Sequence, residues 1–170
     1  MTAQKTGEKV EVRRARRGDL SAIANLVQKA TRSRIEVDEA KVQEWLFSKG
    51  LWVAEQDGDL VGVAAWQAEN LVSVTDVFYV SPARLRATAG GQLLETIEAE
   101  ANVLMCEANV LILPDWTSKA VRTFLRKQGY EPKVFEELHR IWREVLGDFV
   151  ALDQDLMVKR LRERMVMVPV

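Results

Sequence analysis

The chain has 170 residues, of which 48% are hydrophobic and 29% are charged, and its formal net charge is −1. This length and composition are typical of one globular domain with a hydrophobic core, so we expect a single domain over residues 1–170, with residues 1–9 flexible. The near-zero charge argues against nucleic acid or a membrane surface as partner, and the single cysteine, Cys106, excludes an internal disulfide and indicates the cytoplasm.

The first part of the chain predicts a strand followed by two helices. Residues 10–15 alternate in polarity as a strand does, and Asp19 is placed to cap the helix that follows. A second helix is expected to begin near Asp38 and to end at Gly50, because aspartate and glycine are preferred at those two ends.

Three strands are predicted next. Asp57 and Gly58 lie between two strand-like runs, residues 51–55 and 60–66, and an Asp-Gly pair in this position is a strong hairpin signal. A further turn leads into the segment around which the chain is organised.

Residues 73–101 carry the most informative pattern. They begin as a strand rich in β-branched and aromatic residues, which Pro82 stops because proline has no N–H to donate. A turn of small residues at 87–91 then leads into a helix with apolar residues at three- and four-residue steps, namely Leu93, Leu94, Ile97, Ala101 and Leu104. A small-residue turn at a helix start predicts an anion site, because backbone N–H groups and partial positive charge meet there.

The second half predicts a strand, a helix and a long amphipathic segment. Residues 109–113 form a short apolar strand, and Asp115 or Thr117 is expected to cap the next helix, which Gly129 closes. Residues 134–146 carry their apolar side chains along one helical stripe.

The chain then closes with a strand over 155–161 and an apolar tail within residues 162–170. An apolar tail is unfavourable in water, so we expect residues 165–170 to pair with a sheet edge or to pack on another subunit. We therefore predict a homodimer.

The organising segment resembles the GNAT superfamily of acetyl-CoA-dependent N-acetyltransferases, whose cofactor signature follows a strand ending in Val-x-Pro, as at residues 80–82. The resemblance extends over residues 10–161. It implies an α+β GNAT fold, in which helices flank a mixed central sheet, here with an extra helix before the last strand.

The signature itself is degenerate. The family has Arg/Gln-x-x-Gly-x-Gly/Ala at this point. In one register of this chain only Gly90 matches, and in the other Arg86 and Gly91 match while Ala89 replaces a glycine. Thr88 also stands among the expected glycines, so its Cβ is expected to crowd a phosphate, and its hydroxyl to compensate by donating to it.

The resemblance implies acetyl-CoA as cosubstrate and no metal. In the family, strand amides hold the acetyl oxygen and the amides of the turn hold the pyrophosphate. Ser118 occupies the position of a family asparagine. The predicted cofactor-binding residues are Phe78, Tyr79, Val80, Arg86, Ala87, Thr88, Ala89, Gly90, Gly91 and Ser118.

Asp76 is the predicted general base. Many family members have a carboxylate here, and a carboxylate inside a largely apolar strand is poorly solvated, which suits proton acceptance. The alternative is a structural aspartate at a bulge or on the solvated face. Glu69 is a weaker candidate, and the family's tyrosine acid is replaced by Leu125.

Other residue types contribute less. The lone histidine, His139, is expected on the surface, so neither a metal site nor a Ser-His-Asp set is predicted. Trp66 and Trp116 either wall an acceptor pocket or pack in the core.

Three functions remain open from the sequence. The first is transfer of acetyl from acetyl-CoA to a primary amine of a small molecule or peptide by direct attack. The second is a GNAT-fold module that binds acyl-CoA or a partner without catalysis, which the degenerate signature and the missing acid favour. The third is a dimerisation domain that uses residues 134–146 and the apolar tail.

Overall fold

In the part of the chain that the structure describes, seven strands form one mixed sheet flanked by five α-helices. The structure, a computed structural model, describes residues 9–150 and 154–163. Over these residues the strands are β1 (Val10–Arg14), β2 (Gly50–Gln56), β3 (Asp59–Glu69), β4 (Val72–Val80), β5 (Ala108–Leu113), β6 (Glu131–Lys133) and β7 (Asp155–Arg160). The helices are α1 (Leu20–Thr31), α2 (Glu39–Ser48), α3 (Gly91–Val103), α4 (Lys119–Lys127) and α5 (Arg140–Leu146).

The strand order confirms the predicted α+β architecture. It is β1-β2-β3-β4-β5-β7-β6, with β4 parallel to β5 and with β7 antiparallel to both β5 and β6. Among the described residues, no helix combines the length and the apolar character that crossing a bilayer requires. The expected flexible start at residues 1–9 lies, apart from Lys9, outside the described residues, and so does the apolar tail at 165–170.

The chain divides into two compact units. Within the described residues, the first consists of 9–64 with 78–94, and the second of 65–77 with 95–150 and 154–163. The strands β3 and β4 and the helix α3 are continuous in sequence and contribute residues to each unit.

The first unit follows its sequence pattern closely. The Asp38 carboxylate accepts a hydrogen bond of 2.8 Å from the Lys41 amide, which caps α2 as predicted. The β2–β3 hairpin turns at Asp57 and Gly58, whose φ angles of 52° and 85° are those of the predicted two-residue turn.

Two helix-end predictions in this unit are wrong. Asp19 stands at the N-cap of α1, but its side chain makes no capping bond, because its Oδ2 accepts instead from the Arg16 amide at 2.7 Å and from Arg13 Nη1 at 2.8 Å. Gly50 does not end α2. The helix stops at Ser48, Lys49 is extended, and Gly50 is the first residue of β2.

The second unit is built on β5, in which every residue is buried. A cluster of buried apolar residues extends from β4 and β5 to β7 and α5, and includes Val72, Val74, Ala108, Val110, Ile112, Leu138, Trp142, Val145, Leu146, Leu156 and Val158. Burial of these side chains from water is the main stabilising contribution in this unit. The lone thiol, Cys106, is also buried, and that burial raises its pKa.

Residues 134–146 do not form one helix. A short 3-10 turn over Phe135–Glu137 is separated from α5 by Leu138 and His139, and β6 lies just before it. The extra helix before the last strand is therefore present, as α5, but is only seven residues long.

Two further predictions in this unit are corrected. Neither Asp115 nor Thr117 caps α4; Ser118 does, by accepting the Val121 amide at 3.3 Å. The α3 stripe ends earlier than predicted, because α3 stops at Val103 and the Leu104 side chain is 55% exposed.

Candidate active site

The segment between β4 and α3 is helical rather than an irregular turn. After Pro82 the chain forms a 3-10 turn over Ala83–Leu85 and a π-helical turn over Arg86–Gly90, which continues into α3. The predicted small-residue turn at 87–91 is therefore mostly a π-helical turn. The predicted helix start is correct, and amides in the first turn of a helix point outward along its axis.

Small residues on the inner side of this segment let its backbone pack closely. Ala89, Gly90 and Gly91 are buried, whereas Ala87 and Thr88 are exposed and Arg86 is half-buried. We call residues 86–91 the 86–91 turn. Its solvent-facing side therefore carries only small side chains at positions 87 and 88.

The charge around the 86–91 turn is compatible with an anion. Neither the 3-10 turn, the π-helical turn nor the start of α3 has an acidic residue in its first turn, and Arg84 lies in the 3-10 turn. A carboxylate there would repel a phosphate, so the composition of this segment fits the group that the sequence predicted for it.

Thr88 does not adopt the positive φ that would strain a residue with a Cβ. Among the described residues, the glycines with positive φ are Gly58 and Gly129, and Thr88 itself is not in the left-handed region. Its Cβ is therefore unstrained, and its hydroxyl donates to the Leu85 carbonyl oxygen at 3.2 Å. That hydroxyl is part of the turn rather than a ready donor to a phosphate.

Gly62 is a residue of this site that the sequence reasoning missed. A Cβ placed on Gly62 would lie 2.8 Å from Leu93 Cδ1 and 3.2 Å from Ala54 Cβ. A methyl group at Gly62 would force the end of the Leu93 side chain to shift, so the glycine leaves room for Leu93, in the first turn of α3, to pack against β3. A glycine in the interior of a predicted strand was the available signal.

The predicted oxyanion donors lie at the end of β4. Phe78, Tyr79 and Val80 are half-buried and belong to the first unit, together with the 86–91 turn. The registered pairing of β4 with β5 covers residues 72–75, so residues 78–80 lie beyond it.

Asp76 and Ser118 belong to the second unit. Asp76 directly follows the last residue of β4 that is registered on β5, and it is half-buried, with its Oδ1 atom shielded from solvent. Ser118 is exposed at the start of α4 and is engaged as the cap described above.

Tyr130 does not replace the family's missing acid at position 125. Leu125 is completely buried in the core. Tyr130 is also buried, and its phenol donates to Glu98 Oε1 at 2.9 Å. Burial, reinforced by the charge of Glu98, raises the pKa of Tyr130, so this phenol keeps its proton.

The remaining residues considered in the sequence are one histidine and two tryptophans. His139 is exposed and caps α5, with its Nδ1 accepting from the Ile141 amide at 3.3 Å. Trp66 is buried, and Trp116 is 37% exposed. In the described part of the chain, no three His, Cys, Asp or Glu side chains cluster as a metal site would need.

Comparison with known proteins gives one family match. The model of the acetyltransferase (GNAT) domain matches residues 48–132, which is half of the chain. No curated protein sequence gives a significant match.

Solved structures resemble the whole fold. A GNAT-family acetyltransferase of Staphylococcus aureus Mu50 superimposes with a TM-score of 0.72 at 14% identity, covering 91% of this chain and 100% of that one. The PaiA N-acetyltransferase of Thermoplasma acidophilum, in complex with coenzyme A, gives 0.68 at 12% identity, with coverages of 89% and 99%. The ribosomal-protein-S18-alanine N-acetyltransferase of Escherichia coli gives 0.67 at 14% identity, with coverages of 95% and 100%.

Proposed function

Because this chain belongs to the GNAT family of acetyltransferases, we propose that it transfers an acetyl group from acetyl-CoA to a primary amine of a small molecule or peptide. The observation that carries the proposal is the helical 86–91 turn, with a buried small-residue side, exposed residues 87 and 88, and no acidic residue in its first turn. This arrangement suits the pyrophosphate of coenzyme A.

The proposed chemistry is direct attack in a ternary complex. The amine nitrogen attacks the thioester carbonyl carbon, the carbon–sulfur bond breaks, and the thiolate leaves. Asp76, or a water that it holds, takes the proton from the amine, and the amides of residues 78–80 stabilise the negative charge on the carbonyl oxygen. With Leu125 buried in the acid position, the thiolate is released to solvent or protonated by another group.

The second candidate function is acyl-CoA binding without catalysis. It is favoured by the same buried Leu125 and by the degenerate signature. Turnover of acetyl-CoA with a panel of small amines and peptides distinguishes the two, because a binding module holds the ligand and leaves it unchanged.

We predict that Thr88→Glu weakens acetyl-CoA binding about tenfold, which is about 1.4 kcal/mol, because a carboxylate would face the pyrophosphate. Thr88 is exposed, so the glutamate side chain can extend into solvent, and the substitution also removes the hydroxyl bond to the Leu85 carbonyl oxygen. The matched control is Thr123→Glu, which adds the same charge at an exposed position of α4. Calorimetric titration measures both. Equal affinity of wild type and Thr88→Glu would exclude the 86–91 turn as the phosphate site.

We also propose that the protein is a homodimer. Val134, just before the 3-10 turn, is 56% exposed, and Ile141 of α5 is 40% exposed. Apolar surface of this kind is often covered by a second subunit.

A further inference from the structure

A chain of buried hydrogen bonds in the second unit ends on β4 just before Asp76. Asn109 of β5 is completely buried, and its Oδ1 accepts from Ser73 Oγ at 2.8 Å and from Thr75 Oγ1 at 3.0 Å. Both hydroxyls are buried as well. One carboxamide oxygen therefore holds two alternate residues of the same strand, on the same face.

The other side of Asn109 is held by a hydrogen-bond chain that ends on charged groups. Its Nδ2 donates to the Tyr130 hydroxyl at 2.9 Å, which in turn donates to Glu98 Oε1 at 2.9 Å. Lys159 Nζ lies 2.9 Å from the same Glu98 oxygen. Because the raised pKa of Tyr130 keeps the phenol protonated, the direction of this chain does not change over the physiological range. Asn109 is thus tied to α3 and β7 and cannot easily rotate away from β4.

Asn109 contacts β4 where the registered pairing between β4 and β5 ends. The register pairs Val72–Thr75 with Ala108–Leu111, in the order Val72↔Ala108 to Thr75↔Leu111. β4 continues to Val80, whereas β5 ends at Leu113. Thr75 is therefore the last registered residue, and the next residue along β4 is Asp76.

We propose that Asn109 is a positioning residue, which clamps Ser73 and Thr75 so that Asp76 and the β4 amides after it extend beyond the pairing with β5 at one fixed register. Ladder hydrogen bonds alone do not distinguish neighbouring registers, and a slip of one residue turns every side chain of a strand to the opposite face. The two hydroxyl contacts specify the register by side-chain identity. The role in acetyl transfer rests on the proposed function, whereas the clamp itself does not.

The test is hydrogen exchange of the amides of residues 76–80 in the free protein. Thr75→Val keeps the shape of the side chain and removes one clamp contact. We expect at least about tenfold faster exchange at residues 76–80, with exchange in α1 and α4 unchanged. Thr75→Ser keeps the hydroxyl and should restore the slow exchange. If Thr75→Val does not fold, Ser73→Ala removes the other contact and carries the same expectation.

The matched control is Thr31→Val in α1. Its hydroxyl is equally buried and donates to the Val27 carbonyl oxygen at 2.8 Å, so the substitution removes a buried threonine hydrogen bond that belongs to the first unit and has no part in the clamp. It should leave exchange at residues 76–80 unchanged. Uniformly faster exchange throughout the second unit in Thr75→Val, or no change at residues 76–80, would show that the network stabilises the fold without positioning β4.

Turnover gives the second readout. With an accepted amine, Thr75→Val should lower kcat about tenfold or more while KM for acetyl-CoA stays constant, because Asp76 moves and the 86–91 turn does not. An unchanged kcat alongside faster exchange would overturn the catalytic role. Absence of turnover in the wild type would instead count against the proposed function, and the exchange result would still decide whether the clamp exists.

Discussion

Asp76 is the single residue on which the catalytic proposal depends most. Asp76→Asn keeps the shape of the side chain but cannot accept the proton, so we predict a loss of kcat of roughly 10²–10⁴-fold with little change in KM for acetyl-CoA. The matched control is Asp57→Asn, the same exchange at an exposed turn position with φ of 52°, which asparagine tolerates. If the activity of Asp76→Asn merely follows its folded fraction, Asp76 is structural.

A second residue-level prediction concerns pH and Asp19. Hydrogen bonds from Arg13, at 2.8 Å and 3.0 Å, and from the Arg16 amide hold the pKa of Asp19 below its ordinary value of 3.8. The ionised Asp19 therefore stabilises the folded state at pH values above its ordinary pKa. This stabilisation is lost as the pH falls through the lowered pKa that Asp19 has in the folded state.

Asp19→Asn should therefore lower the free energy of unfolding at pH 7 by about 1–2 kcal/mol and reduce its decline on acidification. Urea unfolding at pH 7 and at pH 3 measures both quantities. Asp38→Asn is the control, because asparagine still accepts at an N-cap. An equal acid dependence in wild type and Asp19→Asn would contradict the assignment.

Single residues also show where sequence reasoning stopped. Asp38 capped its helix as predicted, because a cap needs only a local amide. Asp19 precedes its helix as Asp38 does, but its carboxylate accepts a hydrogen bond from Arg13 instead of capping the helix. Arg13 belongs to β1, and its proximity to Asp19 arises only in the folded chain. Ser118 was assigned a ligand role because of the resemblance, which obscured its ordinary chemistry as a cap.

At the scale of elements, α3 and the turn before it depend on Gly62. We predict that Gly62→Ala destabilises the protein by about 1–3 kcal/mol and weakens acetyl-CoA binding, because the new Cβ would lie 2.8 Å from Leu93 Cδ1 and displace the start of α3. Thermal unfolding and calorimetry measure the two effects.

Two variants test the cause of that loss. Gly18→Ala is the control, since nothing lies within 4 Å of a Cβ there. Adding Leu93→Val to Gly62→Ala makes room for the methyl group and should recover part of the affinity. Full affinity in Gly62→Ala alone would mean that the turn does not depend on this contact.

The elements predicted best are those whose signal is periodic and local. The β2–β3 hairpin followed from Asp57 and Gly58, and the buried β5 from a continuous apolar run. The π-helical turn at Arg86–Gly90 was missed because small residues fit a turn and a helix start equally well. Residues 134–146 have helical spacing throughout, yet the backbone is not helical at Leu138 and His139, which divide the segment.

At the scale of the whole molecule, the fold was more predictable than the chemistry. Element order and a Val-x-Pro strand end were sufficient to predict the mixed sheet, because many different sequences adopt that architecture. The hydrogen-bond chain through Asn109 could not be predicted, because it joins residues of β4, β5, α3 and β7 that are up to 86 positions apart, from Ser73 to Lys159. A single sequence carries no pairwise signal for such contacts.

The last prediction concerns assembly. If α5 lies in a two-fold interface, Ile141→Glu places one carboxylate from each subunit in an apolar contact, so the dimer should dissociate. Ile141 is 40% exposed in the described chain, so the variant should fold as a monomer with unchanged thermal stability at low concentration. Thr123→Glu adds the same charge on α4 and should leave the dimer intact. Sedimentation velocity over a range of concentrations separates these cases. A wild type that sediments as a monomer at the highest concentration would refute the dimer. A dimer that persists in Ile141→Glu would place the interface elsewhere on the molecule.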